Sequence, residues 1–90
     1  MAASFLALWG SPPAIDNDGA KVVEGLWMYI HPKGSPRLSC GLYRTPAGDL
    51  VLRTFRNRFG YREWYGEEPA LRQQADICRR LLEHAGWLAQ

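Results

Sequence analysis

The 90-residue sequence predicts an α+β domain, in which a three-stranded or four-stranded antiparallel β-meander precedes one C-terminal α-helix packed on one face of the sheet. Two observations predict it. Segments rich in β-branched and aromatic residues alternate with turn clusters in the first two thirds of the chain. Apolar residues then recur at helical spacing near the C-terminus. A chain this short forms a single domain with a thin core, since it buries only roughly 60–65% of its unfolded surface.

Three segments read as strands: "KVVEGLWMYIHP", "RLSCGLYRT" and "DLVLRTFRN". They are separated by the turn clusters "HPKGSP" and "TPAGD", in which proline presets one corner and Gly48 can adopt a positive φ. A fourth short strand is expected from Tyr61 to Tyr65, after a turn at residues 57–60. The order of the elements therefore predicts an antiparallel meander.

The register of the meander follows from where its turns are centred. A first turn centred on Gly34 places Trp27 opposite Gly41, and a second centred on Ala47 places Leu42 opposite Leu52. Because alternate residues point to opposite faces, one face then collects leucines and the other collects aromatic residues. The predicted leucine face contains Leu26, Met28, Ile30, Leu38, Cys40, Leu42, Leu50 and Leu52.

The C-terminal segment "EEPALRQQADICRRLLEHAGW" reads as the helix. Pro69 suits the first turn, and Gly86 suits the residue after the helix end, with Trp87 folding back onto Leu82. The apolar stripe that should face the sheet is Leu71, Ala75, Cys78, Leu82 and Ala85, widened by Leu81. The predicted organisation is an N-terminal arm and loop over residues 1–20, the β-meander over 21–65 and the helix over 67–86.

The charge is small in total but unevenly placed. The net charge is +2, from eleven Lys and Arg against nine Asp and Glu. Residues 37–62 carry six arginines against the single Asp49, an excess of +5. Arginine presents a planar donor fork that pairs with carboxylates and phosphates and stacks on aromatic rings. The middle third is therefore the part of the chain suited to an acidic partner.

No catalytic or metal-binding motif stands out in the sequence. Cys40 and Cys78 lack the spacing of a zinc site, and His31 and His84 accompany no recognisable nucleophile or acid. No stretch approaches the roughly 20 apolar residues of a membrane span. We therefore expect a cytoplasmic protein with two free thiols that is not an enzyme, has no membrane, cofactor or metal partner, and acts by binding.

The expected binding surface is the sheet face that the helix leaves uncovered, because antiparallel sheets usually present polar residues there and this one presents rings. Three uses of that face are open. Residues 5–9 or the Trp64–Tyr65 pair cover it within the chain, it binds a protein partner or a second copy, or it binds a nucleic acid through stacking and arginine–phosphate contacts. The protein interface is the leading hypothesis and the nucleic acid its alternative. The residues expected to form the surface are Trp27, Tyr29, Tyr43, Arg53 and Phe55, flanked by Arg56, Arg58 and Arg62.

Overall fold

A computed structural model describes residues 19–57 and 59–90, and it confirms the predicted α+β architecture. One antiparallel sheet has the strand order β4-β3-β2-β1-β5, and the helix α1 packs on one of its faces. The predicted arm at residues 5–9 and Arg58 lie outside the described residues. The elements are β1 (Lys21–Ile30), β2 (Arg37–Arg44), β3 (Leu50–Arg56), β4 (Phe59–Tyr65), α1 (Glu68–His84) and β5 (Leu88–Ala89).

The turn between β2 and β3 forms where the sequence predicts it. Thr45 N donates to Asp49 O at 2.9 Å, Gly48 N donates to Thr45 O at 2.8 Å, and Gly48 has φ +94°. Leu42 consequently pairs with Leu52, as expected. A turn that needs a left-handed residue at one position sets the register of the strands on both sides of it.

The predicted register between β1 and β2 is wrong by one residue along the second half of β1. Trp27 pairs with Cys40 rather than Gly41 because the turn is centred between Lys33 and Gly34, with Ile30 opposite Arg37. Register shifts between Val22 and Glu24 and between Gly25 and Trp27 then place Gly25 opposite Gly41 rather than Tyr43. An extra residue in a strand transfers every later side chain to the other face. Two predicted surface aromatics, Trp27 and Tyr29, therefore lie on the helix-covered face.

Contacts with α1 hold these two aromatics under the helix. Trp27 Nε1 donates a hydrogen bond to the Ala75 carbonyl at 2.9 Å, and the Tyr29 hydroxyl donates to the Glu83 carboxylate. Both bonds join β1 to α1 across the layer interface. Tyr29 is buried and Trp27 is half-buried.

The helix presents most of its predicted stripe to the sheet, but the stripe is narrower than expected. Leu81 and Ala85 are exposed. The helix ends at His84 rather than at the predicted residue 86, and Gly86, with φ +91°, is the expected residue after the helix end, where Trp87 N donates to Leu82 O at 3.0 Å. The buried hydrophobic residues of the chain's described part are Tyr29, Leu38, Cys40, Leu42, Val51, Leu52, Leu71, Ala75, Cys78, Leu82 and Trp87.

The fifth strand is an element that the sequence did not predict. After Gly86 the chain reverses and residues 88–89 pair with Tyr29 and Ile30 of β1. Gln90 N adds a bond of 2.9 Å to Met28 O. Two residues are too few to show a strand periodicity in the sequence. The strand β5 forms because the turn after α1 directs the chain alongside β1.

Candidate binding surface

The sheet face opposite α1, called the outer face here, is the candidate site. Alternation along each strand and the observed pairing decide its membership. No described element packs on this face. Its members are Val22, Gly25, Met28 and Ile30 of β1; Arg37, Ser39, Gly41 and Tyr43 of β2; Val51, Arg53 and Phe55 of β3; and Glu63 and Tyr65 of β4.

The structure divides the residues that the sequence predicted to share one surface. Tyr43, Arg53 and Phe55 do lie together on the outer face. The register places Arg56 opposite Leu38 and Arg62 opposite Thr54, on the helix-covered side of the sheet. With Trp27 and Tyr29 under the helix, the predicted surface keeps three of its described members.

The three shared residues form one contact group. The Tyr43 and Phe55 rings meet edge to face, with centroids 5.9 Å apart and planes at 63°. The Arg53 guanidinium carbon lies 5.6 Å from the centre of the Tyr43 ring, within the range of a cation–π contact. Burial raises the pKa of the Tyr43 hydroxyl, so this ring stays neutral at physiological pH.

Arg53 is engaged inside the protein. Its side chain is 6% exposed, and its Nε pairs with a carboxylate oxygen of Glu63. The same carboxylate accepts a hydrogen bond from the Tyr65 hydroxyl. A buried cation with a carboxylate partner is stabilised where it stands, and removing that partner would leave an uncompensated charge. The β3 region of the outer face is therefore a closed ion-pair network.

The β1–β2 half of the outer face is the part that is open. Two adjoining hollows share Met28 and Ser39. One, of about 390 Å³, is lined by residues 25–28, residues 39–41 and Tyr43. The other, of about 380 Å³, is lined by Met28, Gly34, Arg37, Ser39 and Asn57. We call the two together the β1–β2 groove.

Two facing glycines open the groove. Gly25 and Gly41 are paired across the two strands. A Cβ on Gly25 would meet nothing within 4 Å, whereas one on Gly41 would lie 3.1 Å from the Glu24 carbonyl oxygen and 3.3 Å from the Tyr43 ring. Gly41 therefore permits close packing of the Tyr43 ring, and Gly25 borders empty space.

The charges around the sheet are mostly positive. The anions of α1 are largely paired with arginines: Arg79 and Arg80 hold Asp76, and Arg72 bridges Glu68 and Glu24. These contacts hold the pKa of Asp76 and of Glu24 below the usual range. On the sheet, by contrast, no described side chain pairs with the exposed guanidinium of Arg37. The helix is thus close to neutral and the sheet carries the excess cations.

Within residues 19–57 and 59–90, no group of three His, Cys, Asp or Glu could hold a metal ion. Cys40 and Cys78 are buried free thiols. Burial raises the pKa of both thiols, so little thiolate is present near neutral pH. The one described helix is neither long nor apolar enough to cross a membrane.

Sequence reasoning missed the residues that line the groove, although a signal for them was present. The run "LWMYI" in β1 is apolar at every position, so alternation could not assign its faces. Gly25 was the available signal, because a glycine inside a strand often marks a bulge. Because of the bulge beside Gly25, Met28 and Ile30 lie on the outer face and Trp27 and Tyr29 lie on the helix-covered face. Met28 then lines the groove.

No family model matches the chain, and neither the curated proteins nor the solved structures contain a significant match to it. A function for the chain therefore has to be inferred from its own surface.

Proposed function

We propose that the protein is a non-catalytic binding module that holds a protein partner on the β1–β2 half of its outer face. One observation carries the proposal. Every outer-face position of β1 is apolar or glycine, and two of them are well exposed, Val22 at 61% and Met28 at 44%. Water-facing strands of antiparallel sheets normally carry polar residues at such positions. An exposed apolar strip beside a half-buried tyrosine suits a protein contact.

The state of the aromatic and arginine residues favours a protein over a nucleic acid. Base stacking needs exposed rings, but Trp27 and Tyr29 pack against α1, and Tyr43 and Phe55 pack edge to face against each other. Phosphate binding along a strand needs several available cations, but Arg53 is paired with Glu63, which leaves Arg37 as the exposed outer-face arginine. The exposed apolar side chain that both hollows of the groove share is Met28, which suits an apolar side chain better than a base.

Charge favours a different protein over a second copy of this chain. A two-fold contact places the same patch on both sides of the interface. Such a contact would bring both copies of Arg37 into one interface, and Glu63, the described carboxylate of the outer face, is already paired with Arg53. A partner that carries carboxylates around an apolar centre avoids this repulsion.

The test is selection of a displayed random peptide library on the immobilised protein, followed by fluorescence anisotropy of the selected peptides. We expect Met28→Asp to weaken their binding by about tenfold, equivalent to about 1.4 kcal/mol. Leu81→Asp is the matched control, because Leu81 is similarly exposed at 48% but lies on α1. Peptides that bind Met28→Asp as well as they bind the natural protein would contradict the proposal.

Self-association and nucleic-acid binding are the alternative outcomes. Sedimentation that changes with protein concentration, and that Met28→Asp abolishes, would identify a homodimer. Labelled single- and double-stranded DNA and RNA test the nucleic-acid alternative. Binding that falls steeply with salt and weakens in Arg56→Ala would support a phosphate contact, whereas a mainly apolar protein contact should survive the same salt.

The cytoplasm is the proposed location of this activity. The two buried thiols, free among the described residues, suit a reducing compartment. Fractionation of cells that produce the tagged protein tests this, and recovery in a secreted or periplasmic fraction would contradict it.

A further inference from the structure

We infer that the β1–β2 groove takes an extended peptide segment, with a carboxylate over Arg37 and apolar side chains over the glycine pair. The inference rests on the proposed function and states the chemistry of its partner. The observation that supports it is that the groove contains two adjoining hollows, one apolar and one cationic.

The apolar hollow lies between Met28, Tyr43 and the glycine pair. Its volume of about 390 Å³ is in the range of small-ligand sites, which is roughly 300–1,000 Å³. Because Gly25 and Gly41 have no side chains, the backbones of both strands form its floor. A leucine-sized side chain resting there would contact the Met28 side chain and the edge of the Tyr43 ring.

The cationic hollow lies at the other end of the groove, beside Arg37. The Arg37 backbone is held by Asn57: its N–H donates to Asn57 Oδ1 at 2.9 Å, and Asn57 N donates to its carbonyl. The Arg37 side chain is exposed, and within the described residues no carboxylate pairs with it. A fixed backbone with an available guanidinium is suited to receive a carboxylate from a partner.

The distance between the two hollows sets the spacing of the ligand. Arg37 and Gly41 are four residues apart on β2, which is about 13 Å at the usual rise of a strand. An extended peptide covers the same distance in four residues and points its alternate side chains the same way. A ligand with an acidic residue at one position and apolar residues two and four positions away therefore matches the groove.

The probes are fluorescein-labelled hexapeptides with the sequence Asp-Ser-Leu-Ser-Leu-Ser and its reverse, each compared with versions carrying Asn or Lys in place of Asp. We expect the Asp peptide, in one direction, to bind about tenfold more tightly than the Asn peptide and the Lys peptide to bind least. Arg37→Glu should reverse the order, so that the Lys peptide binds best. Arg80→Ala, at an exposed arginine of α1, is the control and should leave the order unchanged.

A second variant blocks the apolar hollow without disturbing the fold. A Cβ at Gly25 meets no atom within 4 Å, so Gly25→Val fills the groove while the strand tolerates the side chain. Binding of the Asp peptide should be lost in Gly25→Val and kept in Ala70→Val, which places the same side chain at an exposed position of α1.

The outcomes separate this inference from the proposed function. If the library yields peptides that depend on Met28 but show no preference for an acidic residue and no sensitivity to Arg37→Glu, the partner chemistry is wrong and the binding module stands. If the hexapeptides do not bind and no library peptide depends on Met28, both are wrong. Preservation of the urea midpoint in each variant excludes loss of folding as the cause.

Discussion

Gly25 and Gly41 face each other across β1 and β2, yet their surroundings give them opposite roles. A side chain at Gly41 would lie too close to the Glu24 carbonyl oxygen and the Tyr43 ring. The carbonyl belongs to the backbone, so it cannot move away by a change of rotamer. A side chain at Gly25 would extend into empty space. The same residue type is thus required for packing in one strand and borders a cavity in the other.

This difference predicts the effect of alanine at the two positions. Gly41→Ala should lower the free energy of unfolding by about 1–3 kcal/mol, the usual cost of overpacking. Gly25→Ala should raise it by about 0.5 kcal/mol, because alanine restricts the unfolded chain without a clash in the folded one. Urea denaturation monitored by tryptophan fluorescence measures both. Equal effects of the two substitutions would show that the close contact at Gly41 is absent.

At the scale of elements, the end of α1 decides where the last residues go. Gly86 N donates to Glu83 O and Trp87 N donates to Leu82 O, both at 3.0 Å, which is the pattern of a Schellman motif. Gly86 adopts a left-handed conformation that disfavours residues with a Cβ. Its turn brings Trp87 into the core and β5 alongside β1.

Gly86→Ala should therefore destabilise the protein by about 1–2 kcal/mol, the cost of a left-handed conformation for an ordinary residue. Gly86→Asn should cost less, because asparagine tolerates this conformation better than other residues do. Thermal denaturation followed by circular dichroism tests the order. If alanine and asparagine are equally harmless, the left-handed turn does not limit the helix end.

The junction between β1 and α1 predicts a pH dependence. The Tyr29 hydroxyl, and secondarily Arg79, hold the pKa of Glu83 below its ordinary value of 4.5. A depressed carboxyl pKa stabilises the folded state above about pH 4.5, and the contribution is lost as the pH falls through the lower folded value. Tyr29→Phe should therefore destabilise the protein at neutral pH and have a smaller effect in acid.

Urea midpoints at neutral and acid pH measure this dependence. Tyr43→Phe is the control, because no described carboxylate pairs with its hydroxyl, so its effect should not change with pH. An effect of Tyr29→Phe that is constant across the range would mean that Glu83 does not respond to the hydroxyl.

For the whole molecule, the core between sheet and helix protects both thiols. Cys40 on β2 and Cys78 on α1 are each 4% exposed, and burial raises the pKa of each. A neighbouring thiol, Cys78, raises the pKa of Cys40 further. The two elements that form the core therefore have to separate before a reagent reaches either sulfur.

Reaction with an aromatic disulfide reagent should accordingly be slow in the native protein and should accelerate in parallel with unfolding as urea is added. The absorbance of the released thiolate gives the rate. Fast reaction of both thiols without urea would indicate that α1 leaves the sheet readily. Such a result would contradict the tight packing of the helix.

Much of the fold could be predicted because local chemistry specifies it. The β2–β3 turn depends on Gly48, the helix start on Pro69 and the helix end on Gly86, and each forms within a residue or two of the expected position. The predicted sharing of one sheet face is confirmed for Tyr43, Arg53 and Phe55, whose register that correctly placed turn sets. It did not hold for Trp27 and Tyr29, which follow the bulges in β1.

The sequence by itself determined the order of the first four strands and the helix, the α+β class and the excess of cations on the sheet, since these depend on residue type and local turns. The tertiary structure alone decided which face of β1 meets the helix. Either set of alternate residues in the run "LWMYI" is apolar enough to be buried. The set that faces the helix contains Trp27 and Tyr29, which form hydrogen bonds with Ala75 and Glu83 of α1. The groove beside Gly25 exists because β1 takes that side and leaves Met28 on the outer face.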